Sequence, residues 1–428
     1  MAQPLHHRPL HRAAVALTIA TFPLIFMGGL VTTHGAGMAV PDWPNSYGYN
    51  MFTFPPSQWV GGIWYEHVHR LMGCAVGFLA IIVVMQAWGP SASGARRRKL
   101  GIWAICLAAL AGVSLGTVYG LEALRLLAPE QAKQWHHAGV GAGCLALILA
   151  AAWTARRPEH RRWVRWLAVA VLVAVCIQGL LGGLRVTKVN QTLAIVHGCF
   201  AHAFLCLAAV MALVTSPVWH RTGMGGEIAK GARRGRGLVA LGIVGSAAIV
   251  VQLVLGATMR HHGAGLAIPD LPWAYGRLLP PISTDGLARI NQYRAWELHE
   301  KPVTLWQVWL HFGHRIGGVL ISVLVLMWVV AAWRSGLRSV RAGAVMLLGA
   351  LSVQFVLGLL TVAWKKPADI ASLHVAGGAL LLMAMVLLTI GVGRLYQVGV
   401  PAAQVSSELA GAVSIRKVKQ EWSELQPT

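Results

Sequence analysis

The chain has 428 residues, of which 56% are hydrophobic and only 12% charged. That charged share is about half the usual globular value, and with long apolar runs from end to end it excludes a soluble multidomain protein. The net charge of +22 does not point to nucleic acid, because Lys and Arg gather in short connectors such as RRRK at 96–99, RRPEHRR at 156–162 and KGARRGR at 230–236, the positive-inside pattern of a membrane protein.

In chain order, the basic stretch MAQPLHHRPLHR leads into an apolar run with no small-residue cleavage site, read as a retained first helix. Ten runs are long enough to span: 13–33, 67–88, 100–121, 136–154, 164–184, 194–215, 237–258, 307–333, 341–363 and 371–395. The connector 34–66 has no Lys or Arg, whereas those after the second and fourth runs are basic. This alternation predicts a multi-pass protein of the cell's cytoplasmic membrane, with both termini cytoplasmic and the long loops 34–66 and 259–306 outside.

The chain repeats itself. HGAGMAVPDWPNSYG at 34–48 returns as HGAGLAIPDLPWAYG at 262–276, with ten of fifteen positions identical. EHVHRLMG at 66–73 answers HFGHRIGG at 311–318, and QGLLG at 178–182 answers QFVLG at 354–358. The expected fold is therefore an all-α integral membrane protein of two pseudo-symmetric four-helix bundles in tandem. The loops and HR pairs are 228 and 245 residues apart, but His197 and His374 only 177, so the first unit holds an inserted helical hairpin at about 96–160. The expected divisions are 1–215, a basic cytoplasmic linker 216–236, a second bundle 237–395 and a cytoplasmic tail 396–428. The hairpin's WHHAGVGAG at 135–143 looks like the other histidine-bearing helix starts, and the roles of His136 and His137 stay open.

Histidines stand at matched helix starts, His69 with His197 and His314 with His374. Two neutral imidazoles facing each other across a bundle suit the axial positions of a haem iron. A lone histidine at such a place also reads as a hydrated interfacial residue. Four at matched positions favour ligands, because polar groups at membrane depth tend to be functional. His67 and His311 are further candidates, while His34 and His262 read as loop residues. Arg70 and Arg315, each directly after a candidate ligand, suit contacts to a haem propionate. Where the second unit has His311 the first has Glu66, a carboxylate suited to proton transfer or to steadying positive charge. The difference suggests that one unit does chemistry and the other holds a redox centre.

The G-x-G loop with PDWP, the EHVHR helix start, the Q-x-x-L-G hairpins and the paired later histidines together resemble the haem A synthase family, over about 30–215 and 240–395. The resemblance implies oxidation of the position-eight methyl of haem o to the formyl of haem a, for terminal oxidases. It implies substrate haem o between His69 and His197, haem b between His314 and His374, and Glu66 as the catalytic carboxylate. Haem o synthase, terminal oxidase assembly factors and a membrane electron acceptor are the implied partners, with a homo-oligomer left open. The first outer loop lacks the cysteine pair of some bacterial members, and the hairpin at 96–160 lies outside the family's eight-helix plan. A bis-His di-haem electron carrier without turnover is the alternative. A haem or small-molecule transporter predicts mid-membrane charges that the sequence does not have.

Overall fold

The computed structural model describes residues 8–89, 94–123, 127–154, 159–223 and 232–396. Twelve α-helices make up nearly all of it: α1 (Arg8–Thr33), α2 (Gly62–Trp88), α3 (Gly94–Ala123), α4 (Pro129–Thr154), α5 (Arg162–Thr187), α6 (Gln191–Val214), α7 (Pro217–Gly223), α8 (Ala232–His261), α9 (Thr284–Trp296), α10 (Leu305–Trp333), α11 (Arg338–Ala363) and α12 (Ala368–Leu395). Each of the ten expected spans coincides with one of the long helices. Among the described residues nine are long and apolar enough to cross a membrane, and the tenth expected span falls on α4. Their apolar residues run all round, and side chains such as Ile19, Ile105 and Val251 lie exposed. That fits helices facing hydrocarbon. The protein is an all-α, multi-pass membrane protein.

The helices close into two four-membered rings. In one, α1 packs on α2, α2 on α5, α5 on α6 and α6 on α1; in the other, α8, α10, α11 and α12 follow the same circuit. The rings meet where α1 packs on α12 and α6 on α8. Because α1 corresponds to α8 and α6 to α12 in the repeat, these are two copies of one contact. Gly29 allows the approach of α1 to α12, since a Cβ there would stand 2.8 Å from Cβ of Ser372. The Arg260 guanidinium of α8 also bonds the Gly29 carbonyl and the Thr33 hydroxyl of α1. The α3–α4 pair stands outside the rings, with α4 against α2.

Each ring is solid at its basic end. Leu10, Val83, Val164 and Val214 belong to one close-packed cluster, and Leu238, Trp328, Val340 and Val392 to the other. The buried Trp328 indole donates to the Leu238 carbonyl at 3.1 Å, so its N–H is satisfied. Glu159 ties the basic end of the first ring together. Its amide donates to the Ala87 carbonyl at 3.0 Å and its carboxylate takes three bonds from Arg161, two from the guanidinium and one from the backbone amide, while the guanidinium also donates to the Val214 carbonyl. Burial alone would raise its pKa, but the Arg161 bonds outweigh it and hold the carboxyl below its ordinary value.

Two short helices lie outside the ten spans. α9 occupies the loop that the sequence leaves irregular; the Ser283 side chain accepts from the Gly286 amide and Asp285 sits in the first turn, a readable start signal. α7 lies in the expected linker 216–236. Residues 224–231 of that linker, 155–158 of the hairpin and the tail beyond Tyr396 fall outside the described residues.

Replacing Gly29 by Leu is expected to force α1 from α12 and cost about 1–3 kcal/mol, read as a lower melting temperature in detergent. Gly77→Ala, where a Cβ meets nothing within 4 Å, should leave that temperature unchanged.

Candidate functional site

The outer loops are built twice to one plan. After α1, Asp42 accepts from the Tyr47 and Gly48 amides, both at 2.8 Å. After α8, Asp270 accepts from Tyr275 and Gly276 at the same distances. Each Tyr-Gly pair has positive φ, 50° and 77° in the first copy, 57° and 71° in the second. Tyrosine enters this region reluctantly. The aspartate bonds are what hold it there. The tyrosine hydroxyls then donate to the Ala39 and Ala267 carbonyls, at 2.5 and 2.6 Å. In the second copy Arg294 of α9 donates to the Tyr275 oxygen, and burial raises that phenol's pKa despite the guanidinium.

Arg70 and Arg315 clamp these loops to α2 and α10. Arg70 donates to the carbonyls of Val40, Asp42 and Asn45 at 2.6–2.9 Å. Arg315 reaches those of Ile268, Asp270 and Trp273 at 2.8–3.0 Å. These are the same three positions, read by a planar fork that matches several acceptors at once.

At the buried position that holds the loop amide the copies differ. Glu66, 2% exposed, accepts from the Val40 amide at 3.0 Å and pairs with Arg70 at 2.9 Å. His311, also 2% exposed, accepts from the equivalent amide, Ile268, at 3.2 Å, with Arg315 Nε 3.3 Å from its other nitrogen. A carboxylate accepts both bonds together, whereas a neutral imidazole has one acceptor and can take only one. His67 lies buried beside Glu66, shares a hydrogen bond with Ser46 at 3.2 Å, and is covered by Phe54 and Trp59.

Below the loops the four matched histidines face each other in pairs. The rings of His69 and His197 have centroids 6.4 Å apart and planes at 81°. Those of His314 and His374 are 6.4 Å apart at 77°. Every one of the four rests on a glycine of the neighbouring helix: His69 on Gly28, His197 on Gly182, His314 on Gly256 and His374 on Gly358. A Cβ at any of these glycines would stand 3.0 Å from the ring's Cε1. His197 and His374 Nδ1 also lie 3.2 Å from the Gln178 and Gln354 carbonyls. An imidazole nitrogen sits ~2 Å from a bound metal, so each pair is spaced for one ion between its rings.

Other histidines are placed apart from these pairs. His34 stacks on Tyr65 and His262 meets Trp306 edge-on. His137 of α4 accepts from the Asn50 amide at 3.1 Å, while His136 is buried. Sequence reasoning missed the four supporting glycines and Arg185, which donates to the Gly37 carbonyl at 3.2 Å. The signal for the glycines was a residue four positions earlier, glutamine in three of the four cases: Gln178, Gln252 and Gln354.

Arg315→Lys is expected to keep at most one of three carbonyl contacts and to cost on the order of 2 kcal/mol. Limited proteolysis should then cut the 262–304 loop faster than in the parent protein. An unchanged cutting rate would mean that the clamp does not hold the loop.

A family model described as COX15-CtaA, cytochrome oxidase assembly protein, matches residues 124–386. A protein named Heme A synthase 2 from Acidiphilium cryptum is 31% identical over 246 residues, 55% of this chain and 61% of that one. The Heme A synthase of Shewanella oneidensis is 21% identical over 388 residues, 86% of this chain and 92% of its own. That of Sinorhizobium medicae is 35% identical over 134 residues, about a third of each chain. The chain thus spans 61% of the first of these relatives and nearly all of the second. With more than half its length matched, from α4 into α12, the chain belongs to the COX15-CtaA family of cytochrome oxidase assembly proteins.

Proposed function

We propose that the protein is a haem A synthase, oxidising the position-eight methyl of haem o to the formyl of haem a for terminal oxidases. The observation that carries this reading is an asymmetry between two similarly built sites: Glu66 holds the loop amide that His311 holds in the other unit. The names of the relatives agree with it.

The donor set suits haem. Two imidazoles face each other at metal-bridging distance in each ring, and the glycine under each leaves no room for a side chain that would displace it. His314 and His374 would hold haem b, and His69 and His197 the substrate. Haem b, when bound, supplies one-electron transfer between the substrate site and an acceptor in the membrane. The chain's own part is positional. Glu66 lies three residues before His69, on the same helical face, and its two bonds fix the carboxylate near the edge of the first site. There it can steady positive charge or take up a proton at an oxygen released by Arg70. The outer loops shield the site from water.

The sites lie near the outer face of the cytoplasmic membrane and both termini on the inner side, in keeping with the basic connectors. Haem o synthase would supply the substrate, and terminal oxidase assembly factors would receive the product. The near-equal geometry of the two histidine pairs favours a second reading, a di-haem electron carrier, in which Glu66 is dispensable.

Protein purified from cells making haem o should yield haem b together with haem o, haem a or a hydroxylated intermediate. Haem b alone would defeat the synthase reading. His314→Ala or His374→Ala should abolish the low-spin haem b spectrum. Glu66→Ala should retain bound haem and reduce turnover at least a hundredfold, whereas full activity would favour the electron carrier.

A further inference from the structure

The first unit carries one more charge that the second lacks. Three residues after Gly182, and so on the same face of α5, stands Arg185. At the matched place on α11, three residues after Gly358, stands Thr361, whose hydroxyl bonds to the Leu357 carbonyl of its own helix at 2.7 Å. Gly182 carries the His197 ring, so Arg185 faces the first site one helical turn nearer the outer loops. Glu66 stands one turn outward of His69 in the same way, on α2, which packs on α5. The Arg185 guanidinium is an electrostatic neighbour of Glu66, His69 and His197.

The two arginines of this site use their donors differently. Arg70 makes four bonds, three to loop carbonyls and one to Glu66. Among the described residues Arg185 makes one, to the Gly37 carbonyl at 3.2 Å, and joins no ion pair. Glu66 is balanced by Arg70, which leaves the charge of Arg185 in surplus. A guanidinium near membrane depth with most of its fork unmatched is costly, and its planar donors fit a carboxylate. One turn of helix rises about 5.4 Å. Glu66 and Arg185 therefore lie level with the rim of a macrocycle centred between the imidazoles, not with its iron. The only charged groups on the rim of a haem are its propionates. One of them is the neighbour of the position-eight methyl on the same pyrrole ring.

We propose that Arg185 binds that propionate and thereby sets the position-eight methyl before Glu66. The two side chains together read one pyrrole ring, the cation taking its carboxylate and the carboxylate facing its methyl. The second unit has Thr361 and His311 at the matched places and offers neither group, in keeping with a haem that is held there and left unaltered. This rests on the first unit being the site for haem o.

The test is binding to the first site of the full-length protein in lipid nanodiscs, followed by spectral titration, with His374→Ala to remove binding at the second. The probes are haem b and its dimethyl ester, which lacks the propionate charges. Binding that disappears on adding His69→Ala belongs to the first site. Haem b should bind there about tenfold more tightly than the ester. Arg185→Leu should weaken haem b about tenfold and leave the ester unchanged, which also shows that the variant has folded, and Arg185→Lys should restore part of the difference. Equal weakening of both probes, the mark of a purely structural bond to Gly37, would overturn the proposal. So would a preference for haem b that survives Arg185→Leu. With His374 intact and haem o saturating, Arg185→Leu should lower turnover at least tenfold, and unchanged turnover would show that the propionate contact does not place the methyl. Protein that prefers haem b to its ester through Arg185 but never oxidises haem o would refute the synthase reading and leave the propionate contact standing.

Discussion

An imidazole at membrane depth keeps a fixed direction only if something solid lies behind it, and in this protein that support is the bare backbone of a glycine. Gly28, Gly182, Gly256 and Gly358 each bring one helix of a pair close enough to touch the ring carried by the other. Hydrocarbon offers no hydrophobic drive for such an approach, so close packing and hydrogen bonds must supply it. The four-membered rings, the short turns and the matched positions of the histidines all follow from repeating this one contact four times.

Around that contact the molecule is stiff at both ends. The basic end is filled by the clusters around Leu17 and Trp328. The outer end is closed by two loops whose backbone carbonyls converge on Arg70 and Arg315. A guanidinium near the membrane boundary is costly unless its donors are satisfied, and the loop carbonyls satisfy them. Within that shared frame the exchange of Glu66 for His311 is conspicuous. It changes the number of bonds that can be accepted at one buried point, and with it the charge facing the first site.

The inserted pair α3 and α4 adds to only one unit. It joins the first ring through the packing of α4 on α2 and through the contact of His137 with Asn50 of the outer loop.

Much of this was legible in the residues. Apolar length located the ten helices, and basic connectors suggested their direction. The repeated HGAG loop disclosed the duplication, and the matched histidines marked the two pairs. Ser283 and Asp285 signalled α9, but the neighbouring Pro280 and Pro281 and the mixed charges made that stretch read as loop.

What the sequence alone determined was periodic or compositional: membrane residence, the repeat, and which residue types recur at helix starts. Tertiary structure decided who meets whom. That Arg70 serves backbone carbonyls, that Glu66 and His311 hold the same amide, and that each paired histidine rests on a glycine of the neighbouring helix are facts about facing surfaces. Helical periodicity places a residue on a face of its own helix. Which neighbour that face meets, and at what depth, is set only when all the helices pack together.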